Sequence, residues 1–143
     1  MRHVKFLLLI SLTLLAMGCA REKSPSQVFS EYNAKVIEGI DYEADKAYYS
    51  KRKQADVESK LPQYMERMSK SREEAIRFYL DFSRSVAKCK EIHLVNEAIE
   101  GNTARLEYSQ KDVCGNESTS PEKQTVKMIK EDGWKIDDIE ISL

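Results

Sequence analysis

The chain changes its periodicity once, at Lys88, and that change restricts it to one class of fold. Up to Lys88 the apolar residues recur at helical spacing; beyond it they fall in short runs divided by Gly-containing turns. Ser24-Pro25-Ser26-Gln27 fits a capping box with proline at the first helical position. Val28, Phe29, Tyr32, Val36 and Ile37 follow on one face, and Gly39 stops the run. Asp41 is placed to cap a short second helix carrying Tyr42, Ala44, Ala47 and Tyr48. Residues 54–68 are charged and helix-prone, and Pro62 is expected to kink or divide them. Ser71-Arg72-Glu73-Glu74 is a second capping box, opening a helix whose stripe is Ala75, Ile76, Tyr79, Leu80, Ser83, Val86 and Ala87.

Past Lys88, Ile92–Ile99, the turn Gly101-Asn102 and Ala104–Tyr108 read as a hairpin. Gly115–Pro121 reads as a loop, and Thr125–Ile129, Asp132-Gly133 and Trp134–Ile141 as a second hairpin. Ile136, Ile139 and Ile141 do not keep one parity, which predicts a bulge at Asp137-Asp138. Helices first and antiparallel strands afterwards give an α+β fold, with the helices against one face of the sheet.

The N-terminus carries no part of that fold. Arg2, His3 and Lys5 precede Phe6–Leu15, a run without charge, and Ala16-Met17-Gly18-Cys19 follows. A basic start, a short apolar stretch and small residues are the anatomy of an export leader. The competing readings are a buried helix and a membrane-spanning helix, the latter needing about 20 apolar residues, more than this run offers. Ala16-Met17-Gly18-Cys19 resembles the bacterial lipobox, with Ala16 in place of the commoner leucine. The resemblance implies cleavage before Cys19, a diacylglyceryl thioether on its sulfur and a further acyl group such as palmitate on its nitrogen. Ala20 is not the aspartate associated with inner-membrane retention, so a two-membrane bacterium would hold the protein on the outer membrane, facing the periplasm. The alternative is an ordinary secreted protein in which Cys19 is incidental. The expected organisation is a signal peptide at 1–18, the lipidated cysteine and a tether at 19–25, and one domain at 26–143.

Without the leader, the 23 basic residues lose Arg2 and Lys5 and stand at 21 against 24 acidic ones. No basic excess remains to displace counterions from nucleic acid.

Ser24-Pro25 opening a helix, Gly39-Ile40-Asp41-Tyr42 starting a second, and the late Asp132-Gly133-Trp134-Lys135-Ile136 hairpin resemble the nuclear transport factor 2-like, or cystatin-like, domain of many small bacterial lipoproteins. The resemblance spans residues 24–143. It implies a curved sheet wrapped around a long helix, with a cone-shaped cavity at the open end. The charged segment around Pro62 and the two cysteines of the sheet region depart from that pattern.

Those cysteines are Cys89 and Cys114. If Gly101-Asn102 is a two-residue turn, Glu100 faces Thr103 and Cys89 faces Cys114 in the same register. Counting back from Glu100 puts the pair at a non-hydrogen-bonded site, where side chains approach closest. Export delivers them to an oxidising space, so a structural disulfide is expected. One bulge would shift that register. The alternatives are two buried thiols or a zinc pair.

His93 is the one histidine after the leader, which excludes a two-histidine zinc site within the exported chain. No glycine-rich phosphate loop and no nucleophile elbow are present, and no cofactor is expected. If no bulge intervenes, His93 shares a hairpin face with Val95 and Leu106 and could line the cavity as a general base; the alternative is an exposed or satisfied strand histidine. Tyr42, Tyr48, Tyr49, Phe78 and Tyr79 offer either an aromatic pocket or core. Trp134 either packs over its hairpin or forms a ligand platform. Asp137 and Asp138, adjacent in a strand, are expected on opposite faces. Asn116-Glu117-Ser118 has the form of a glycosylation sequon and reads as loop composition.

Three functions fit. The leading one is a non-enzymatic, membrane-anchored binding domain for a protein or a small apolar molecule. A small hydrolase, isomerase or dehydratase using His93 with a carboxylate is the second. The third is an envelope interaction partner, such as a toxin inhibitor.

Overall fold

A computed structural model describes residues 22–115 and 122–142. The leader, Cys19 and the sequon at Asn116 lie outside the described residues. Four helices precede four strands: α1 (Pro25–Glu38), α2 (Tyr42–Tyr48), α3 (Lys51–Met68), α4 (Arg72–Lys88), β1 (Lys90–Glu100), β2 (Thr103–Asp112), β3 (Glu122–Glu131) and β4 (Gly133–Ser142). The fold is α+β, as the change of period at Lys88 predicts.

The helix boundaries follow from local chemistry. At Ser24 the hydroxyl accepts from the Gln27 amide, and the Gln27 side chain accepts from the Ser24 amide. Ser71 and Glu74 repeat this reciprocal arrangement at α4, and Asp41 accepts from the Ala44 amide at α2. Each satisfies amide donors that the first helical turn leaves free. Gly39 ends α1 at φ 110°, where a side chain would be strained, and donates to the Lys35 carbonyl. Ser24 and Pro25 therefore belong to the first turn of α1.

Pro62 neither divides residues 54–68 nor ends the helix: α3 runs through it from Lys51 to Met68. Proline removes the bond to the carbonyl four residues back. Pro62 is exposed while its neighbour Leu61 is buried, so the ring sits on the outer side of the helix. Ser69, at φ 51°, turns the chain directly into α4.

The strands form an open antiparallel meander in the order β1-β2-β3-β4, not a closed barrel. One face carries Ala104, Leu106, Tyr108, Val126, Met128 and Ile136, packed against Phe29, Tyr32 and Val36 of α1 and against Tyr49. The other edge of this layer is closed by a short parallel bridge, in which Tyr49 pairs with Ile136 and the Ser50 amide donates to the Ile136 carbonyl. That bridge covers part of the β4 edge, which would otherwise present unpaired backbone groups.

Two bulges set what faces the core. In β4 the register slips by one residue, so that Lys127 faces Asp138 while Met128 faces Ile136; Asp137 is the extra residue, as the broken parity predicts. The second hairpin closes more tightly than a two-residue turn, pairing Glu131 with Gly133 around Asp132.

The other bulge, at Val95 of β1, was not foreseen. Asn96 faces Glu107, but Leu94 faces Tyr108 rather than the next residue along. From that point His93 faces Ser109 and leaves the face of Leu106. The same slip removes Cys89 from the register that would place it opposite Cys114.

The disulfide nevertheless forms, with Cα atoms 5.1 Å apart. Both cysteines sit just outside the ladder. Cys89 caps α4, and Cys114 lies in the bend after β2, where its amide donates to the Asp112 carboxylate. The pairing was expected; its geometric basis is helix cap to strand exit, not cross-strand.

Candidate functional site

Helices α3 and α4 are amphipathic, joined by a tight turn, and do not close fully on one another. Val57, Leu61 and Tyr64 on α3 face Ala75, Ile76 and Tyr79 on α4, across a groove of about 530 Å³ floored by Ile139 of β4. That volume lies in the range of small-molecule sites, roughly 300–1,000 Å³. At its mouth Phe78 and Phe82, one helical turn apart, stack with centroids 6.4 Å apart. They are 53% and 61% exposed, so the apolar lining runs out into solvent.

The lining charges are already paired. Lys53 bonds Asp138 at 3.2 Å, and Lys60 bonds Asp56 one turn away. The groove therefore offers no uncompensated charge.

Behind the lining residues Tyr49 and Tyr79 lies a polar cluster. Asp45 of α2 is buried, and the Tyr32 hydroxyl donates to one of its oxygens at 3.0 Å. The Tyr32 and Tyr49 hydroxyls are 2.7 Å apart, those of Tyr49 and Tyr79 are 3.0 Å apart, and Tyr79 reaches the second Asp45 oxygen at 3.5 Å. Burial pushes the Asp45 carboxyl up to about 6, although the hydroxyls of Tyr32, Tyr79 and Tyr49 favour its charged form. Burial likewise raises all three phenols above their ordinary value, with the neighbouring Asp45 charge adding to the effect. They stay protonated at any physiological pH.

Of the aromatic residues considered from sequence, Tyr42, Tyr49, Phe78 and Tyr79 line the groove. Tyr48 instead packs on Tyr32 and donates to Glu31. Trp134 is core, 8% exposed, with the Lys130 ammonium 5.8 Å from its ring centre; it does not reach the groove. Nor does His93. Its side chain is 65% exposed on the outer face of the sheet, 3.4 Å from Glu91, because the Val95 bulge reverses the face that an unbroken strand would give it.

Asp137 and Asp138 do not part to opposite environments. The bulge turns Asp137 toward the start of α3, where it accepts from the Ser50 hydroxyl at 2.6 Å and from Arg52, while Asp138 meets Lys53 on the same helix. Burial works against the Asp137 charge, but Arg52 and Ser50 outweigh it and hold the carboxyl below the usual range.

Asp45 was not identified from sequence. The available signal was spacing: Tyr42 and Asp45 lie three residues apart and so share a helical face, with Tyr49 following directly after α2. Among the described residues no group of three or more His, Cys, Asp or Glu side chains could hold a metal ion, and no helix is long and apolar enough to cross a membrane. Comparison of the chain with protein-family models, with curated proteins and with solved structures finds no match to any of them.

Proposed function

We propose that this is a lipid-anchored protein of the bacterial envelope whose exported domain binds a small apolar molecule in the groove between α3 and α4. The observation that carries the reading is the groove itself: apolar, of ligand size, open to solvent, and without an unpaired charge. Helices ahead of an open four-stranded meander also support a nuclear transport factor 2-like arrangement, with this groove in place of its cone cavity. The anchor rests on the lipobox-like Ala16-Met17-Gly18-Cys19. Glu22 bonds Lys130 near the tips of both hairpins, so an anchor three residues upstream would hold that end toward the membrane and the disulfide end away from it.

Binding is tested with N-phenyl-1-naphthylamine, an uncharged dye that fluoresces in apolar surroundings. The full chain should give a saturable, one-to-one rise in fluorescence. Val57→Lys, which puts a charge into the groove, should abolish it, and His93→Ala should leave it unchanged. Saturable binding that survives Val57→Lys would refute the assignment. Palmitate labelling tests the anchor, which fails if Cys19 remains unmodified.

A second reading has one observation in its favour. The exposed, stacked Phe78 and Phe82 would also suit a protein partner that inserts an apolar side chain. Organic extracts of the purified protein that contain a stoichiometric small molecule would decide for the ligand.

A further inference from the structure

We infer that the groove selects neutral apolar molecules that carry a hydroxyl group, because the Asp45–Tyr32–Tyr49–Tyr79 chain leaves the Tyr79 oxygen as a hydrogen-bond acceptor at its polar wall. The inference rests on the groove being a ligand site, as proposed above.

A phenol has one proton to donate, and an ionised carboxylate has none. Tyr32 lies 3.0 Å from an Asp45 oxygen and spends its proton there. In the Tyr32–Tyr49 contact the donor must then be Tyr49. In the Tyr49–Tyr79 contact the donor must be Tyr79, whose second inward partner is the other Asp45 oxygen; either choice points its proton inward. Every proton in the chain is committed toward Asp45. What remains on Tyr79 is lone-pair density, of which the Ser83 hydroxyl takes one share and a ligand can take the other.

Tyr79 is also the member that a ligand can reach. It is 36% exposed, whereas Tyr32 and Tyr49 are buried, and both Tyr49 and Tyr79 line the groove. A hydroxyl on the ligand can donate to Tyr79. A ketone or an ether offers only another acceptor and leaves that oxygen unmatched.

The polarity depends on Asp45. The groups that face it are Tyr32 from α1, Tyr49 just after α2, and Tyr79 from α4, whose oxygen Ser83 also serves as a donor. From α3 the groove presents Lys53, Asp56 and Lys60, with the lysines paired to Asp138 and Asp56. When Asp45 takes up a proton, it becomes a donor. The row can then reverse and release the Tyr79 proton outward.

Three probes of one shape separate these terms: 2-naphthol, 2-methylnaphthalene and 2-methoxynaphthalene, titrated against the full chain. At pH 7.5 the affinity ratio of 2-naphthol to 2-methylnaphthalene should fall about fivefold in Tyr79→Phe, the loss expected of one neutral hydrogen bond. In the unsubstituted protein the ratio of 2-naphthol to 2-methoxynaphthalene should fall on going from pH 7.5 to pH 5. In Tyr79→Phe it should not. Unchanged ratios in Tyr79→Phe, or a ratio independent of pH in the unsubstituted protein, would overturn the inference while leaving the groove a ligand site. Failure of all three probes to bind would overturn the ligand site itself.

Discussion

Replacing both Cys89 and Cys114 by serine should cost the domain about 3.5 kcal/mol without changing its fold. The magnitude follows from the loop that the bond closes. The cysteines are 25 residues apart, and on the chain-entropy model a loop of that length removes roughly 12 cal/mol/K from the unfolded ensemble, or about 3.5 kcal/mol at 25 °C. The folded state keeps other ties at the same place. Val113 donates to the Cys89 carbonyl, and Lys90 bonds both Glu122 and Asp112 among half-buried side chains. The loss should therefore appear as easier global unfolding and not as local fraying. Urea unfolding followed by circular dichroism measures it: the midpoint falls and the slope rises, because the uncrosslinked unfolded chain exposes more surface. For a domain of this size the melting temperature should drop by roughly 10–15 °C. Cys114 is exposed, so a water-soluble phosphine should reproduce the effect on the unsubstituted protein. Alkylation of both Cys89 and Cys114 in the non-reduced protein, or a loss under about 1 kcal/mol, would refute the reasoning.

Asp45→Asn should change how stability depends on pH. The folded carboxyl is raised to about 6, so the native state binds more protons than the unfolded one between that value and roughly 3.9; this contribution is fully present below the unfolded value and is lost as pH rises through 6. Relative to Asp45→Asn, the unsubstituted protein should gain on the order of 2 kcal/mol between pH 7.5 and pH 4, and parallel urea-midpoint profiles would contradict this. Asp137→Ala should cost about 1–3 kcal/mol, since it strips the buried Ser50 hydroxyl of its acceptor. Asp137 has the opposite sign from Asp45: its stabilisation is present above the unfolded carboxyl value and fades as pH falls through the lower folded one, so the variant and the parent should converge in acid.

What could be read from the sequence was local. Both capping boxes, the Asp41 cap and the Gly39 stop involve residues no more than four apart, and each formed where its chemistry placed it. The bulge at Asp137 was legible because Ile136, Ile139 and Ile141 cannot share one face of an unbroken strand. The bulge at Val95 was not. Ile92, Leu94, Val95 and Ile99 put apolar residues on both parities, and no Gly or Pro marks the irregular position. That one extra residue moved His93 to the outer face and invalidated the cross-strand argument for the disulfide. The Asp45 cluster was out of reach for another reason: its hydroxyl partners come from positions 13 and 34 residues away, on helices whose packing no local pattern fixes.

The groove is a consequence of how α3 is held. Its first turn is fastened to the sheet edge at several points within a few residues. Ser50 donates its amide to Ile136, accepts from the Lys53 amide and donates its hydroxyl to Asp137, while Arg52 and Lys53 reach the two bulge aspartates. The far end is fixed by the turn at Ser69, where Lys70 donates to the Met65 carbonyl, and the Arg72–Glu58 ion pair ties the middle of α3 to the start of α4. Between these ends, Leu61 is the one residue of α3 that is buried. An 18-residue helix fastened at its start to the sheet edge and at its end to α4 packs on that edge over only part of its length. Val57 and Tyr64 are left lining open space together with Tyr79 and Ile139. An apolar face kept off the core by polar fastenings has a standing incentive to be covered, and a ligand that fills the gap gains burial which the chain itself cannot provide.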